Sequence, residues 1–123
     1  MFSEFQLIGH RGLPSKYPEN TILGFDKAIE VGATMVEFDL QLTADNHLAV
    51  VHDRTTTRVG DQSLEVSQTV RADLENVNIR KGDFSDKLTF FDEILHQYKD
   101  DLNYYVELKT FKHDNIDYKS KLV

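Results

Sequence analysis

Two histidines, three carboxylates and two cationic side chains in this 123-residue sequence are spaced so that strands could carry them to one place. His10 stands in Gly9-His10-Arg11-Gly12, and His52 in Val50-Val51-His52-Asp53. Histidine titrates near neutrality, so a pair at one site can divide the acid and base roles of a proton-transfer reaction. Arg11 can meet a phosphate through two parallel hydrogen bonds. Glu37 and Asp39 lie two residues apart within Met35 to Leu42, and Glu107 and Lys109 two apart near the end of a second apolar run. Side chains on a strand alternate faces, so each of these pairs shares a side. Gathered in a barrel mouth, Glu37, Asp39 and Glu107 would repel one another, and a bound divalent cation would relieve that repulsion. An all-oxygen ligand set suits Mg²⁺ or Ca²⁺, and Mn²⁺ is compatible with it. Lys109 is a point charge suited to a phosphate oxygen.

The same alternation has a plainer meaning. An antiparallel sheet with one wet face would also set Val36, Phe38 and Leu40 against Glu37 and Asp39. On alternation alone that plainer meaning is preferred. A single His-Arg-Gly is, by itself, an ordinary turn.

The elements that would have to position these groups can be read from periodicity. Phe5 to Gly9 reads as a short strand, followed by turn-forming residues to Pro18. Asn20 can cap a helix with Ile22, Phe25 and Ile29 on its apolar face, and Gly32 sits where a helix commonly ends. Met35 to Leu42 reads as a second strand and Leu48 to His52 as a third extended piece. The stretch from Arg54 to Lys87 is polar and irregular, with one helical turn near Ala72 to Glu75. Thr89 begins another helix, with Asp92 three residues on as a weak capping box and Ile94, Leu95 and Tyr98 on its apolar face. Asn103 to Lys109 is the last strand. Alternating strands and helices of this kind predict an α/β fold with parallel pairing and right-handed crossovers.

Composition removes several function classes. Twenty-one acidic against 14 basic residues give a net charge of -7, which argues against nucleic acid as a partner and tolerates a cation among carboxylates. The absence of cysteine excludes disulfides and thiolate metal sites and permits a cytoplasmic location. The first residues, Met1-Phe2-Ser3-Glu4-Phe5-Gln6, do not read as a secretory signal, and no stretch approaches the roughly 20 apolar residues of a membrane span.

Taken together, the motifs carry a resemblance. Ile8-Gly9-His10-Arg11-Gly12, Tyr17-Pro18-Glu19-Asn20-Thr21, Glu37-Phe38-Asp39-Leu40, Val50-Val51-His52-Asp53 and Val106-Glu107-Leu108-Lys109 occur in this order. The series and its intervals, from about Gln6 to Lys109, resemble the glycerophosphodiester phosphodiesterase family. That resemblance implies the N-terminal part of a (β/α)₈ TIM barrel, with the family's insertion, about 54–88, after the second strand and residues 1–123 forming a partial domain. It implies metal-dependent hydrolysis of a small-molecule glycerophosphodiester to an alcohol and glycerol 3-phosphate. By similarity, Glu37, Asp39 and Glu107 match the metal ligands, His10 and His52 the catalytic histidines, and Arg11 and Lys109 residues at the phosphate. Glu19 would orient Arg11 or border the site, and Asn20 would serve the helix. Two departures stand away from this chemistry: Asp45-Asn46 replaces an Asp-Gly turn, with asparagine able to adopt the left-handed conformation, and Leu88-Thr89-Phe90-Phe91 replaces a Pro-Thr-Leu. His47, His96 and His113 match nothing and read as surface residues.

A complete barrel of this kind takes about 250 residues. Here the third principal strand is the last, which would leave open sheet edges and apolar surface for a neighbour to cover. Three readings follow: a piece of a longer enzyme, a short form completed by another chain (a homo-oligomer among the options), or a remnant that folds without catalysing. The alternative to an enzyme is therefore a non-catalytic module that binds metal or phosphate.

Overall fold

The computed structural model describes residues 7–109, and its architecture is built around one strand. The elements are β1 (Ile8–His10), α1 (Ile22–Glu30), β2 (Met35–Leu42), β3 (Leu48–Val50), a 3₁₀ turn (Val66–Gln68), α2 (Arg71–Leu74), β4 (Asn78–Lys81), β5 (Phe84–Lys87), α3 (Phe91–Tyr98) and β6 (Asn103–Leu108). The central strand is β2, which pairs in parallel with β1 on one edge and with β6 on the other. β3 pairs with the far end of β2 in antiparallel fashion, Leu40 facing Val50. Because Leu40 also faces Leu108 of β6, β3 must lie on the β1 side.

The parallel pairing expected for the alternating strands is found for β1, β2 and β6, while β3 is antiparallel. The reason is the length of the connection. A parallel crossover needs a dozen or more residues, whereas only 43–47 separate β2 from β3. The Thr43 hydroxyl donates to Asp45 Oδ1 at 2.6 Å and accepts the His47 N–H at 3.0 Å. Asn46 takes a left-handed φ of 66°, the role foreseen for it in that turn.

The two faces of β2 do different work. Val36, Phe38 and Leu40 point outward and are buried with Phe25 of α1 and Ile94 and Tyr98 of α3. Phe38 meets Phe25 edge-on, ring centroids 5.8 Å apart, and Phe91 at the same distance. Burying a side chain of this size contributes about 1.5–3 kcal/mol. The Tyr98 hydroxyl donates to Asp26 Oδ1 at 2.7 Å and so ties α3 to α1. The opposite face of β2 carries Glu37, Asp39 and Gln41, all buried.

Both helix starts differ from the sequence reading by one residue. Thr21, not Asn20, caps α1: its hydroxyl accepts the Gly24 N–H at 3.1 Å and donates to Pro18 O at 2.7 Å. Asn20, in a left-handed conformation with φ 56°, is free to reach elsewhere. Phe90, not Thr89, precedes α3, and Glu93 rather than Asp92 reaches back to accept its N–H at 2.9 Å. On α3, Ile94 and Tyr98 are buried while Leu95 is exposed.

Residues 54–88 are more ordered than polarity suggested. The helical turn appears as α2, but a β4–β5 hairpin was not foreseen. Its signal was present, since Gly82-Asp83 forms a two-residue turn of the kind that matches strand twist, with Gly82 at φ 57°. Val66, Leu74, Val77, Ile79 and Leu88 bury themselves with Ala49, Val51 and Phe90 in a second small core. Asp86 of β5 accepts the Leu23 N–H at 2.9 Å, which docks the hairpin on the start of α1. Among the described residues, Leu7 and Ile8 at β1 and Tyr105, Val106 and Leu108 on β6 are exposed large hydrophobics. No helix of the described residues is long and apolar enough to cross a membrane.

Candidate active site

Strand register brings the candidate groups to one end of the sheet. In the parallel β1–β2 pair His10 stands opposite Glu37, and in the β2–β6 pair Asp39 stands opposite Glu107. Each of the three carboxylates offers an oxygen, and these oxygens all lie within 4.8 Å of one another. Glu37 is 6% exposed and Asp39 0%. Glu37 Oε1 and Asp39 Oδ1 are buried with no hydrogen-bond partner. Burial pushes the Glu37 carboxyl up from its ordinary value, and the neighbouring charge of Asp39 adds to the push. Two orphaned buried oxygens beside a third carboxylate form an all-oxygen donor set with lone pairs to spare. Such an all-oxygen set fits a hard divalent cation.

The cationic side chains surround the same point. Lys109 Nζ donates to Glu107 Oε1 at 3.0 Å and stands 3.8 Å from Asp39 Oδ1. This hydrogen bond holds the Glu107 carboxyl below its ordinary value. Arg11 Nε lies 3.5 Å from Asp39 Oδ2. The Asn20 side-chain amide donates to the same oxygen at 3.2 Å. Arg11 itself has a φ of 57°, an uncommon conformation for a residue with a side chain. It is over-determined there. The Arg11 N–H donates to Glu37 O at 2.7 Å, its carbonyl accepts the Asn20 N–H at 2.9 Å, and Gly12 beyond it packs against the start of α1. Such local strain, of order 1–3 kcal/mol, persists where surrounding structure insists on it and clusters at functional sites.

The two histidines are held differently. His10 Nε2 lies 3.4 Å from Glu37 Oε1, with 65% of its side chain exposed. The His52 side chain is 31% exposed, and its Nδ1 lies 2.7 Å from Asp53 Oδ1. The Arg58 hydrogen bond, followed by that from His52, holds the Asp53 carboxyl down at about 2. An ionised carboxylate only accepts, so Nδ1 must be the donor, and Nε2 is the nitrogen left for proton transfer. His52 stands close enough to Glu107 to act on its charge.

Three residues of this arrangement escaped the sequence reading. Gln41 donates from Nε2 to Val51 O at 2.8 Å and to Asp53 O, which anchors the segment carrying His52 to β2. Its signal was the same alternation that paired Glu37 with Asp39. Asn20 was assigned to the helix, yet its side chain goes to Asp39. Arg58 lies in the polar stretch, and nothing local marks it. It nonetheless donates to Glu19 through Nη1 and Nη2 at 2.9 and 3.0 Å, and to Asp53 through Nε at 2.8 Å. Glu19 stands between Arg58 and Arg11, whose Nη1 is 3.7 Å away. His47 and His96 are exposed, as read, while His113 lies outside the described residues.

Comparison with known proteins bears on what this arrangement is. The model of the glycerophosphoryl diester phosphodiesterase family matches residues 10–123. A glycerophosphodiester phosphodiesterase from Caldanaerobacter subterraneus is 52% identical over 52 residues, which cover 42% of this chain and 21% of that protein. The crystal structure of glycerophosphodiester phosphodiesterase from Agrobacterium tumefaciens superposes with a TM-score of 0.80 at 27% identity, over 85% of this chain and 47% of that one. An Oleispira antarctica phosphodiesterase, solved in complex with the product sn-glycerol-3-phosphate, gives a TM-score of 0.72 at 25% identity, over 85% and 44%. The chain therefore spans less than half the length of these relatives. Its fold is α/β and corresponds to part of their (β/α)₈ barrel. With 114 of its residues matched by one family model, from 10 to 123, the chain belongs to the glycerophosphoryl diester phosphodiesterase family.

Proposed function

We propose that the site hydrolyses glycerophosphodiesters to an alcohol and glycerol 3-phosphate, with a divalent cation held by Glu37, Asp39 and Glu107. The observation that carries this reading is the pair of buried, unpartnered oxygens on Glu37 and Asp39, beside Glu107 and within reach of His10 and Lys109. When bound, Mg²⁺ or Ca²⁺ would supply charge neutralisation at a phosphoryl oxygen. The chain's own residues do the rest. Arg11 and Lys109 hold the phosphodiester and offset its charge. One of His10 and His52 takes the proton from the glycerol 2-hydroxyl as its oxygen bonds to phosphorus. The other gives a proton to the departing alcohol oxygen as its bond to phosphorus breaks. Water then opens the cyclic phosphate with the two roles exchanged, so one water is consumed and both histidines return to their starting states. The match to the family and the product named for the Oleispira enzyme support the same substrate class.

The test is release of glycerol 3-phosphate from glycerophosphocholine by the purified protein with Mg²⁺ or Ca²⁺. Product that disappears with EDTA, and in His10→Ala and His52→Ala, supports the reading. A near-normal rate in either variant removes that histidine from the mechanism. The alternative is a metal- or phosphate-binding module without turnover. Calcium binding measured by calorimetry, with no product over hours, would select it.

A further inference from the structure

Arg58 stands in the loop that follows His52, five residues after Asp53. Its guanidinium occupies the junction between two of the site's supports. One side meets Glu19 with two roughly parallel bonds, 2.9 and 3.0 Å. The other meets Asp53 with two more, 2.8 Å from Nε and 3.2 Å from Nη2. This is fork-to-carboxylate recognition twice over, which a lysine cannot reproduce. Glu19 belongs to the turn before α1, 39 residues earlier, and Asp53 to the segment after β3.

The consequence lies in which Asp53 oxygen is shared. Oδ1 accepts from Arg58 Nη2 and also faces His52 Nδ1 at 2.7 Å. An aspartate on an open loop could turn away from the histidine beside it. Here the guanidinium grips both of its oxygens while Glu19, 11% exposed, holds the guanidinium from behind. Half of the Arg58 side chain remains exposed, so its ion pairs add little to stability. What they fix is orientation.

We propose that Arg58 is a positioning residue that locks Asp53 against His52, and thereby keeps the His52 ring in the Nδ1–H tautomer with Nε2 available for proton transfer. This deepens the hydrolase reading above and rests on it for its kinetic consequence, though not for its structural one. Removing Arg58 frees Asp53 to rotate and lets the ring sample both tautomers. Glu19 stays beside Arg11, so phosphate binding changes little.

Two measurements test it. The first is independent of turnover: ring ¹⁵N chemical shifts of His52, followed with rising pH to the plateau of the neutral ring. The unaltered protein should show the Nδ1–H form alone, and Arg58→Gln a mixture of tautomers. Glu19→Gln, which leaves Arg58 in place but removes its rear anchor, should move the spectrum the same way by less. Should Arg58→Gln fail to fold, the Glu19→Gln spectrum decides alone. A pure Nδ1–H signal in every folded variant overturns the proposal. The second is kinetic. Supporting groups of this kind typically contribute 10–100-fold, so Arg58→Gln should lower kcat by about that factor. KM should stay within about twofold, the mark of an interaction used in the transition state. An unchanged kcat, or a loss expressed wholly in KM, also overturns it. If the unaltered protein turns over no glycerophosphocholine, the hydrolase reading fails, and the tautomer spectra still judge Arg58.

Discussion

The strand-borne wall of the site and its loop-borne side, which includes Glu19, achieve order by different means. On the wall, Glu37, Asp39 and Glu107 converge because parallel register places His10 opposite Glu37 and Asp39 opposite Glu107. Backbone pairing does the positioning, and two buried carboxylate oxygens are left without a hydrogen-bond partner. On the loop side backbone bonds flank the functional residues rather than pair them with one another, as in Thr56 N–H to Leu64 O at 2.9 Å and Val66 N–H to Arg54 O at 3.1 Å. His52, Asp53, Arg58 and Glu19 are held instead by a chain of ion pairs between side chains. The wall keeps its bonding capacity for a ligand, whereas the loop spends its own on itself. The two regions should therefore fail differently when altered.

The wall should show the largest chemical effect. Asp39→Ala removes one of the three oxygens offered to a cation and the anchor for Arg11 and Asn20. A cation's contribution of several kcal/mol corresponds to about a 10³-fold loss of turnover, and calorimetric calcium affinity should fall with it. Calcium binding at full strength in this variant would mean that the carboxylates do not act as one site. Behind the wall, Phe38→Ala opens a cavity between β2, α1 and α3 at a fully buried position. It should cost about 3–5 kcal/mol in denaturant unfolding. A loss below 1 kcal/mol would show that β2 is not supported from that side.

Where wall and loop join, Gln41 carries both. It sits on the carboxylate face of β2 and donates to the carbonyls of Val51 and Asp53. Gln41→Ala leaves those acceptors without their donor and should cost about 1–3 kcal/mol. It should also accelerate amide hydrogen exchange in the segment after β3. If exchange there is unchanged, Gln41 does not anchor the loop.

The same division explains what could be read from the sequence. Period-two alternation exposed the faces of β2, and the bounds foreseen for that strand are those observed. Helical spacing located α1 and α3, but caps are decided by single hydrogen bonds, and a hydroxyl at Thr21 displaced the amide foreseen at Asn20. The parallel pairing foreseen for the alternating strands holds for β1, β2 and β6, whereas the direction of β3 follows from its short connection to β2 and was not read from the sequence. Between 54 and 88, polarity concealed a small core whose apolar residues are scattered (Val66, Leu74, Val77, Ile79), so that no period announces them. Arg58 was illegible for a deeper reason. Asp53 lies five residues before it, but Glu19 lies 39 before it, and only the folded chain brings the two carboxylates to one guanidinium.

The smallest expected effect isolates the loop's own means of order. Asp53 is held at about 2, against an ordinary value of 3.8, first by Arg58 and then by His52. Between those values the unfolded chain binds more protons at this position than the folded one. Stability from this group therefore rises with pH, is fully present above pH 4 or so, and disappears as acid takes the solution toward about 2. Asp53→Asn should melt below the unaltered protein near pH 5, and the gap should close on acidification. Asp45 and Asp61, also held below their ordinary values, titrate in both proteins, so the difference between the two curves carries the result. A gap that stays constant through the window would mean that the carboxylate charge of Asp53 does not hold the loop. The arrangement would then rest on backbone contacts, as the wall does, and the contrast between the two regions would be lost.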